Sequence, residues 1–549
     1  MTIYDAKRKL CWFLLFSFFA VARLAAVVPG AQALVPAGHW IYDDLDFLCM
    51  ETGTVSFAVS APRTVGEIKL YLEKIDTGLL GVAGRETYGR VKDFLEKTYP
   101  GFESGLLNAG LAVDFALEGY FKTNKDIAWN YPYQKRQPLV DIPFGFSLGD
   151  YLTVASSVTV AQNVEALIAH DNYVNFPFPL SKFDVNFPRS AYGSFGVMLS
   201  DDTGMNFRIA RGAQSVGNTF SGSVVLSDYC SNESYAEFAV FSPKFRYALN
   251  VTELNPPRKD NMDPAYMYLH RLEFRFFEKL TFTLLEGVLV NAPLELRFLN
   301  PLMVWHGYAS WNDYHGEGNN PEKNIVKKEA SLLGVNLDFV PCKGVRLYFL
   351  YAMNQFQTAY ERKHWPDSAI PNAMAFQGGL QLAFPVGDGY VHGALEGVYT
   401  TPYMYLMEGA DWSYMRDYDE NIGMNNVREW VGTPFGPDSI CAVVSAGYKV
   451  PGKWDAVLSY VFSVQGELSN PAVVDGDYWP TSVEQASVKT PTGTPQFTHR
   501  ILLSGTWHIT DKIRLETRPS YVLRFNAENK EDIFRQGFEF TASCAFSLF

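Results

Sequence analysis

Two stretches of the chain, residues 290–329 and 402–439, combine aromatic side chains with aspartate, asparagine and arginine. Aromatic faces stack on the apolar faces of pyranose rings, and amide, carboxylate and guanidinium groups hydrogen-bond to sugar hydroxyls. This combination predicts carbohydrate binding, although an interfacial ring of aromatic residues or simple loop packing uses the same residue types. The candidate sugar-binding residues are Trp305, Trp311, Asn312, Asp313, Tyr314, Trp412, Tyr414, Asp417 and Tyr418.

A second group of polar residues alternates with apolar ones. Within residues 268–276, Arg271, Glu273 and Arg275 share one face of a predicted strand, and tyrosine, histidine, leucine and phenylalanine share the other. The charged face would be the surface of a soluble sandwich but the lumen of an outer-membrane barrel. We expect these residues to pair and fill a barrel; a track for a sugar or an ion is the functional alternative. The candidate lumenal residues are Arg208, Arg271, Glu273, Arg275, Arg514, Glu516 and Arg518.

Catalytic and metal-binding motifs are missing from the sequence. It has no G-x-S-x-G, H-E-x-x-H or phosphate-binding loop, no pair of carboxylates at a distinctive spacing, and no Cys/His pattern of a zinc site. Five scattered cysteines follow residue 33, an odd number that argues against a disulfide framework. We therefore predict that the protein is not an enzyme and has no metal or cofactor.

The amino terminus has the features of a secretory signal. Three basic residues at positions 7–9 precede an apolar run, and Ala31-Gln32-Ala33 is a typical cleavage site, so cleavage is predicted after Ala33. Removal of residues 1–33 leaves 42 basic and 58 acidic residues, a net charge of −16. This charge argues against nucleic acid as a partner. No later stretch is long and apolar enough for a helical membrane span.

Residues 34–104 have helical rather than strand periodicity. Tyr42, Leu45 and Leu48 recur at helical spacing, and Thr64 with Glu67 predicts a capping box at the start of a second helix. We predict a small helical module here, packed against the remainder of the chain.

From residue 105 onward the pattern changes to short strands separated by turns. Eighteen strands are expected, with a margin of about two, and tight turns alternate with long connections. Short turns on one side and long loops on the other are typical of an outer-membrane barrel. The predicted organisation is a signal at 1–33, a helical module at 34–104 and an all-β transmembrane barrel at 105–549. Asn300-Pro301, within a long loop, is expected to set a turn that folds into the barrel.

Three stretches carry distinctive residue combinations. The first has VPAGHWIYDDL at 35–45, then PRT at 62–64 and EI at 67–68. The second has RIAR at 208–211, then GN at 217–218 and VVLSD at 224–228. The third has HRLEF at 270–274, then Glu286, then FLNPL at 298–302.

Together these stretches resemble the Wzi-type capsule-assembly barrels. The first resembles that family's periplasmic helical module. The second resembles its GR…WG…GNLLLSD segment, with Ala210 in place of the first glycine and Val216 in place of the tryptophan. The third is similar to its HRLE…E…YLNPL core. The resemblance is spread along the chain after residue 33.

The resemblance implies an eighteen-stranded outer-membrane barrel that holds capsular polysaccharide in a lectin-like way. The expected partners are outer-membrane lipid, surface polysaccharide or glycolipid, and the barrel-assembly machinery. Two alternatives stay open: a porin-like or substrate-specific channel, and an outer-membrane hydrolase, which would need a Ser/His or paired-carboxylate site at the barrel rim.

Overall fold

A computed structural model of the chain describes residues 25–27, 30–127, 136–162, 172–176, 183–186, 191–230, 233–255, 264–301, 305, 328–409, 412–420 and 425–548. Among these residues, no helix is long and apolar enough to cross a membrane.

Eighteen antiparallel strands form a closed barrel, as predicted. Each strand pairs with its neighbours along the chain, and β18 closes the barrel on β1, with Ser547 opposite Asp114 and Glu539 opposite Lys122. The strands are β1 Asp114–Lys122, β2 Val140–Leu148, β3 Leu152–Gln162, β4 Ala191–Ser200, β5 Thr203–Gly212, β6 Glu233–Phe241, β7 Phe245–Asn255, β8 Ala265–Phe276, β9 Leu280–Asn291, β10 Lys328–Cys342, β11 Val345–Gln355, β12 Ala373–Val386, β13 Gly389–Thr400, β14 Ser439–Val450, β15 Trp454–Gln465, β16 Gln496–Thr510, β17 Ile513–Phe525 and β18 Phe534–Ser547.

The alternation of residue types along each strand separates the lumen from the outer wall. In β8, Arg271 and Glu273 are buried inside the barrel, whereas Phe274 and Phe276 are exposed on its outside. Because a strand turns successive side chains to opposite faces, one charged and one apolar face need no other explanation.

The outer wall is apolar and carries rings of aromatic residues. Near the outer ends of β11, β12 and β13, the rings of Tyr351 and Phe376 lie 5.1 Å apart, and those of Phe376 and Tyr399 lie 6.3 Å apart. An apolar band flanked by aromatic girdles is the surface that an outer-membrane barrel presents to lipid. The protein is therefore a bacterial outer-membrane barrel.

The two ends of the barrel differ in their connections. Strands are joined at one end by tight turns, such as the one between β8 and β9, where Phe277 and Glu278 both have positive φ angles, 54° and 57°. Two central residues with positive φ fit the right-handed twist of the flanking strands. The other end carries the long connections, so it is the extracellular end.

A small helical module packs against the short-turn end. Its helices are α1 Trp40–Thr52, α2 Val65–Leu72 and α3 Val82–Leu95. The Val55 N–H donates to the Glu278 carbonyl at 2.8 Å, and the Gly344 N–H donates to the Met50 carbonyl at 2.8 Å. Both barrel residues lie in short turns, so the module sits on the periplasmic side.

The predicted capping box at α2 is only half formed. The Thr64 hydroxyl accepts a hydrogen bond from the Glu67 N–H at 3.1 Å, as expected. The Glu67 carboxylate does not return to the Thr64 backbone; it pairs with Arg246 of β7 at 3.0 Å. A tertiary ion pair has replaced the local contact.

The two ends of the predicted module differ in detail from the structure. The helices end at Leu95, and Tyr99–Ser104 pairs with Leu107–Leu111 as part of the sheet. At the amino end, the Gln32 amide donates to the Asp150 carbonyl at 3.0 Å, and the Asn206 amide donates to the Gln32 side chain at 2.8 Å. Cleavage after Ala33 would remove these contacts; the cleavage site itself stays a prediction.

Four further short elements bear on the site below. Ser215–Val216 and Ser60–Ala61 are short strands within the lumen, α4 Ala359–His364 lies between β11 and β12, and α5 Val483–Ala486 lies between β15 and β16. A further hairpin is formed by Met415–Glu420 and Asn425–Trp430.

Candidate functional site

A continuous column of protein crosses the lumen from the periplasmic to the outer end. Its middle part is the connection between β5 and β6, residues 213–230, which we call the plug loop. Ser215–Val216 of this loop pairs with Ser60–Ala61 of the helical module, and the Gly217 N–H donates to the Val59 carbonyl at 2.7 Å. An outer loop therefore reaches far enough into the barrel to meet the module that enters from the other end.

Side chains of the barrel wall hold the plug loop. Glu396 of β13 accepts hydrogen bonds from the backbone N–H groups of Phe220 at 2.8 Å and Ser221 at 3.0 Å. The Gln377 amide of β12 donates to the Gly222 carbonyl at 2.7 Å. Each contact satisfies a backbone group that would otherwise be buried without a partner, which is costly. The loop is thus fixed in one path.

The outer end of the column is covered by residues 402–409 and 428–438, which we call the outer lid. The Tyr405 hydroxyl donates to the Val224 carbonyl at 2.7 Å, and the Ser227 N–H donates to the Val431 carbonyl at 2.9 Å. Apolar residues of the plug loop, the lid and the inner wall form one buried cluster that includes Val224, Leu226, Leu289, Leu350, Met404, Tyr405, Leu406 and Trp430. This cluster is a hydrophobic core within the barrel, near its outer end.

Below the plug loop, a network of buried ion pairs joins the module to the wall. Glu237 of β6 accepts from Arg208 at 2.8 Å, Arg246 at 3.1 Å and Arg271 at 2.6 Å. Arg246 also reaches Glu67 of α2 at 3.0 Å and is only 1% exposed. Removing one partner of a buried network leaves an uncompensated charge, which typically costs about 3–5 kcal/mol.

A second buried pair holds the start of the plug loop. The Arg346 guanidinium contacts the Asp338 carboxylate at 2.9 Å, and it also donates to the carbonyl of Asn218 in the plug loop. The Asn218 amide in turn donates to Asp46 of α1. Wall, plug loop and module are therefore joined by one chain of hydrogen bonds.

The opposite side of the lumen is open. On β17, Glu516 pairs with Arg514 at 2.9 Å and with Arg518 at 3.4 Å, and the two arginine side chains are 39% and 40% exposed. A cavity of about 670 Å³ lies between the inner faces of β12–β17, the plug loop and α1. Its wall carries Ser445, Ser459, Ser463, Thr498, Arg500, Ser504 and Arg524.

The structure separates the candidate lumenal residues into two groups. Arg208, Arg271, Glu273 and Arg275 are buried under the module, where Glu273 accepts from the Val59 N–H at 3.3 Å. Arg514, Glu516 and Arg518 lie on the open side. They do not form one track.

Trp305, predicted in a sugar-binding loop, lies on the outside of the barrel wall. Its ring stacks at 3.7 Å on that of His270, an outward-facing residue of β8, and it is completely buried. The Tyr247 hydroxyl donates to the Pro301 carbonyl at 3.0 Å. The expectation that Asn300-Pro301 folds into the barrel is therefore wrong: this segment covers the outward-facing His270 and Glu286, which lie 4.0 Å apart. Burial of that polar pair away from lipid gives a physical reason.

The candidates in the second loop have structural contacts. The Tyr414 hydroxyl donates to the Ala330 carbonyl at 2.6 Å, and Asp417 pairs with Arg428 at 3.1 Å; both candidates are buried. Trp412 is half-buried against the outer cluster. Neither Tyr414 nor Asp417 presents its side chain to an external sugar in this structure. Trp311, Asn312, Asp313 and Tyr314 lie outside the described residues, as does the side chain of Tyr418.

The residues that hold the plug loop are not among those predicted from the sequence. Gln377 and Glu396 lie on the inward faces of strands that are otherwise rich in glycine and alanine. A polar residue on such a face is a signal for a lumenal contact, but the sequence does not identify its partner more than 150 residues away.

Within the described part of the chain, no group of three His, Cys, Asp or Glu side chains could hold a metal ion. The cysteines there are free thiols: Cys49, Cys230 and Cys441 are buried, and Cys342 and Cys544 are exposed.

Comparison with solved structures identifies similar barrels. The chain superposes on Wzi of Escherichia coli, an outer-membrane protein involved in group 1 capsule assembly and a carbohydrate-binding β-barrel, with a TM-score of 0.58, 14% identity and coverage of 94% of this chain and 99% of that one. OprD of Pseudomonas aeruginosa gives 0.37, 9% identity and coverage of 80% and 94%. The channel DcaP of Acinetobacter baumannii gives 0.35, 8% identity and coverage of 82% and 99%.

No protein-family profile matches the sequence, and no curated protein matches it either. The likeness to Wzi therefore shows the fold: an eighteen-stranded outer-membrane barrel, 94% of which has a counterpart in a solved structure.

Proposed function

We propose that this barrel is a non-catalytic binding protein that holds or organises polysaccharide or glycolipid at the cell surface. The observation that carries the proposal is the column formed by the module, the plug loop and the outer lid. It fills one side of the lumen and gives the outer end a packed surface. The likeness to a carbohydrate-binding barrel over 94% of the chain supports the same function.

A fixed outer surface suits binding because little ordering is left to occur when a ligand arrives. The lid is joined to the plug loop and to the segment after β15, where the Trp430 indole N–H donates to the Ser469 carbonyl at 2.8 Å. Preorganisation of this kind lowers the entropic cost of association.

Weak individual sites are sufficient for a polymeric ligand. One aromatic stacking contact contributes about 1 kcal/mol, and a site of a few such contacts has a dissociation constant near about 1 mM, or about −4 kcal/mol. Many barrels engaging one polymer would multiply this affinity. Trp311, Asn312, Asp313 and Tyr314 remain the proposed contacts, together with the exposed part of Trp412.

A second candidate function is a substrate-specific channel. The cavity of about 670 Å³ on the open side of the lumen, with Arg500 and Arg524 on its wall, favours it. The lining also carries Lys449 and the carboxylates of Asp43, Asp46 and Asp455, and charged side chains of this kind line the selective parts of channels.

One comparison distinguishes these functions. The purified barrel is immobilised, and its retention of polysaccharide extracted from the surface of its own cells is measured beside the variant Trp311→Ala/Trp412→Ala. We expect the variant to lose retention. The matched control is Trp507→Phe, which changes an exposed tryptophan of the outer wall.

The same proteins are then tested in planar bilayers. Retention by the native barrel without steady current supports the binding function. Normal retention by the Trp311→Ala/Trp412→Ala variant, together with steady ionic current through the native barrel, would replace the binding function with the channel.

A further inference from the structure

A groove lies on the outside of the barrel at its extracellular rim. It is formed by the connection between β11 and β12, residues 356–372, and by residues 483–489 of the connection between β15 and β16. It encloses about 320 Å³, and its lining includes Arg362, Trp365, Ile370, Tyr399, Val488 and Lys489. We call it the rim groove.

One wall of the rim groove belongs to the lipid-facing side of the barrel. Tyr399 belongs to the outward face of β13, since its neighbours Val398 and Thr400 are buried inside the barrel. Its ring continues the aromatic row of Tyr351 and Phe376. Because aromatic girdles lie at headgroup level, the groove begins where the outer leaflet meets water.

Several large side chains of the groove are apolar. Trp365 is 59% exposed, and Ile370 and Val488 are exposed as well. Three large apolar side chains beside the lipid-facing wall form an exposed patch, and such patches mark interaction sites. Lipid chains that reach the girdle would cover them.

The groove lining also carries two basic side chains. Arg362 and Lys489 are both exposed, and neither forms an ion pair within the part of the chain that the structure describes. Lys363, next to Arg362 on α4, is not part of the groove lining. Asp367 and Glu484 are the exposed carboxylates of the same two segments, and Glu361 is engaged by the Thr358 N–H at 2.7 Å.

Local hydrogen bonds hold both walls of the groove in place. Thr358 and Glu361 form a complete capping box at the start of α4, and the Gln357 amide donates to the Ser368 hydroxyl at 2.9 Å. On the facing wall, the Tyr403 hydroxyl donates to the Gln485 carbonyl at 3.1 Å. The cationic side chains are thus presented from fixed backbones.

We propose that the rim groove binds a phosphorylated glycolipid of the outer leaflet. Its phosphate lies between the Arg362 guanidinium and the Lys489 ammonium, and its acyl chains descend over Trp365, Ile370 and Tyr399. Arginine binds phosphate oxygens through two parallel N–H groups, and lysine contributes a point charge. The continuity of the groove with the lipid-facing wall favours a lipid over a soluble anion. Pro402 of the lining belongs to a proposed sugar-binding loop, but none of the described candidate sugar contacts lines the groove.

The experiment measures binding of diphosphoryl lipid A to the full barrel in detergent micelles by native mass spectrometry. The variant Arg362→Gln/Lys489→Gln is compared with the native protein and with Lys363→Gln, which changes the same helix outside the groove lining. We expect the double variant to weaken binding at least about tenfold, equivalent to about 1.4 kcal/mol, and the control to bind like the native protein. Heat-dependent mobility in SDS gels verifies that each barrel is folded.

Three further probes separate a lipid from a soluble anion. The native protein should bind dephosphorylated lipid A about tenfold more weakly than the diphosphoryl form. The Arg362→Gln/Lys489→Gln variant should bind the two forms of lipid A equally. Inorganic phosphate and dextran sulfate should compete only weakly. Equal lipid binding by all three proteins, or full displacement by dextran sulfate, would overturn the proposal. The Arg362→Gln/Lys489→Gln variant should retain surface polysaccharide normally. This result would distinguish failure of the rim-groove proposal from failure of the proposed function.

Discussion

The two sides of the lumen wall differ in how far their inward-facing charged residues are buried. On the side of β5–β13, arginines such as Arg208, Arg246 and Arg346 are almost completely buried among carboxylates, the plug loop and the helical module. On the side of β15–β18, Arg514 and Arg518 share the carboxylate of Glu516 and remain about 40% exposed. The strands on both sides have the same alternation of charged and apolar residues.

The difference teaches that alternation determines which face is polar but not how the polar face is used. A charge pair in water contributes about 0–1 kcal/mol. A pair taken out of water has to be matched closely, and losing one partner costs several times more. The packed side therefore provides mechanical attachment for the module, and the open side provides a wet surface.

The largest effect is expected from removing the plug. The native barrel is expected to carry no steady ionic current. Replacement of residues 218–225 by a short Gly/Ser segment should make it conduct, because an eighteen-stranded barrel whose lumen holds no protein segment encloses an aqueous channel. Single-channel recording in planar bilayers measures this.

The control for that experiment is replacement of residues 359–364, an outer helix that does not enter the lumen. A plug-deleted barrel that inserts normally but stays electrically silent would mean that the module alone closes the lumen.

The next effect compares one carboxylate on each side. Glu237→Gln should lower the free energy of unfolding by about 3–5 kcal/mol, since three buried arginines lose their shared charge. Glu516→Gln should change it by less than about 1 kcal/mol, because its partners are exposed to water. Urea unfolding in detergent micelles, followed by tryptophan fluorescence, gives both values. Similar losses in the two variants would contradict the division into a packed and an open side.

The smallest effect concerns the module where it faces the open side. His39 caps α1 by accepting the Ile41 N–H on Nδ1 at 3.4 Å, and burial, followed by the charges of Arg90 and Arg514, lowers the pKa of His39 from 6.5 to about 4. The unfolded chain therefore takes up the proton first as the pH falls. The contribution of neutral His39 to the free energy of unfolding is complete above pH 6.5. It is lost between pH 6.5 and about 4, by at most about 3 kcal/mol.

The test is urea unfolding at pH 7.5 and pH 4.5. His39→Asn retains an acceptor for the cap and has no titrating group, so its stability should fall less than that of the native protein over this interval. An equal fall in both proteins would assign the pH dependence to other groups.

The sequence by itself determined the strands and their faces, and the number of strands to within about two. The period-two pattern around Arg271 and Glu273 predicts inward charges, and turn residues such as Pro451-Gly452 locate the strand ends to within a few residues. These features are local, because each strand needs one apolar and one polar face whatever lies opposite it. The helical module was predictable for the same reason.

Only the tertiary structure decided which polar residues are buried and which loops cover them. Glu67 leaves its predicted capping box for Arg246, 179 residues away, and Glu396 holds a backbone segment 176 residues away. Trp305 has the composition of a sugar-binding residue but packs on the outer wall against His270. The type of a residue determines which contacts its side chain can make. The closed barrel determines which partner lies within reach of that side chain, because the strands bring distant segments of the chain into one lumen.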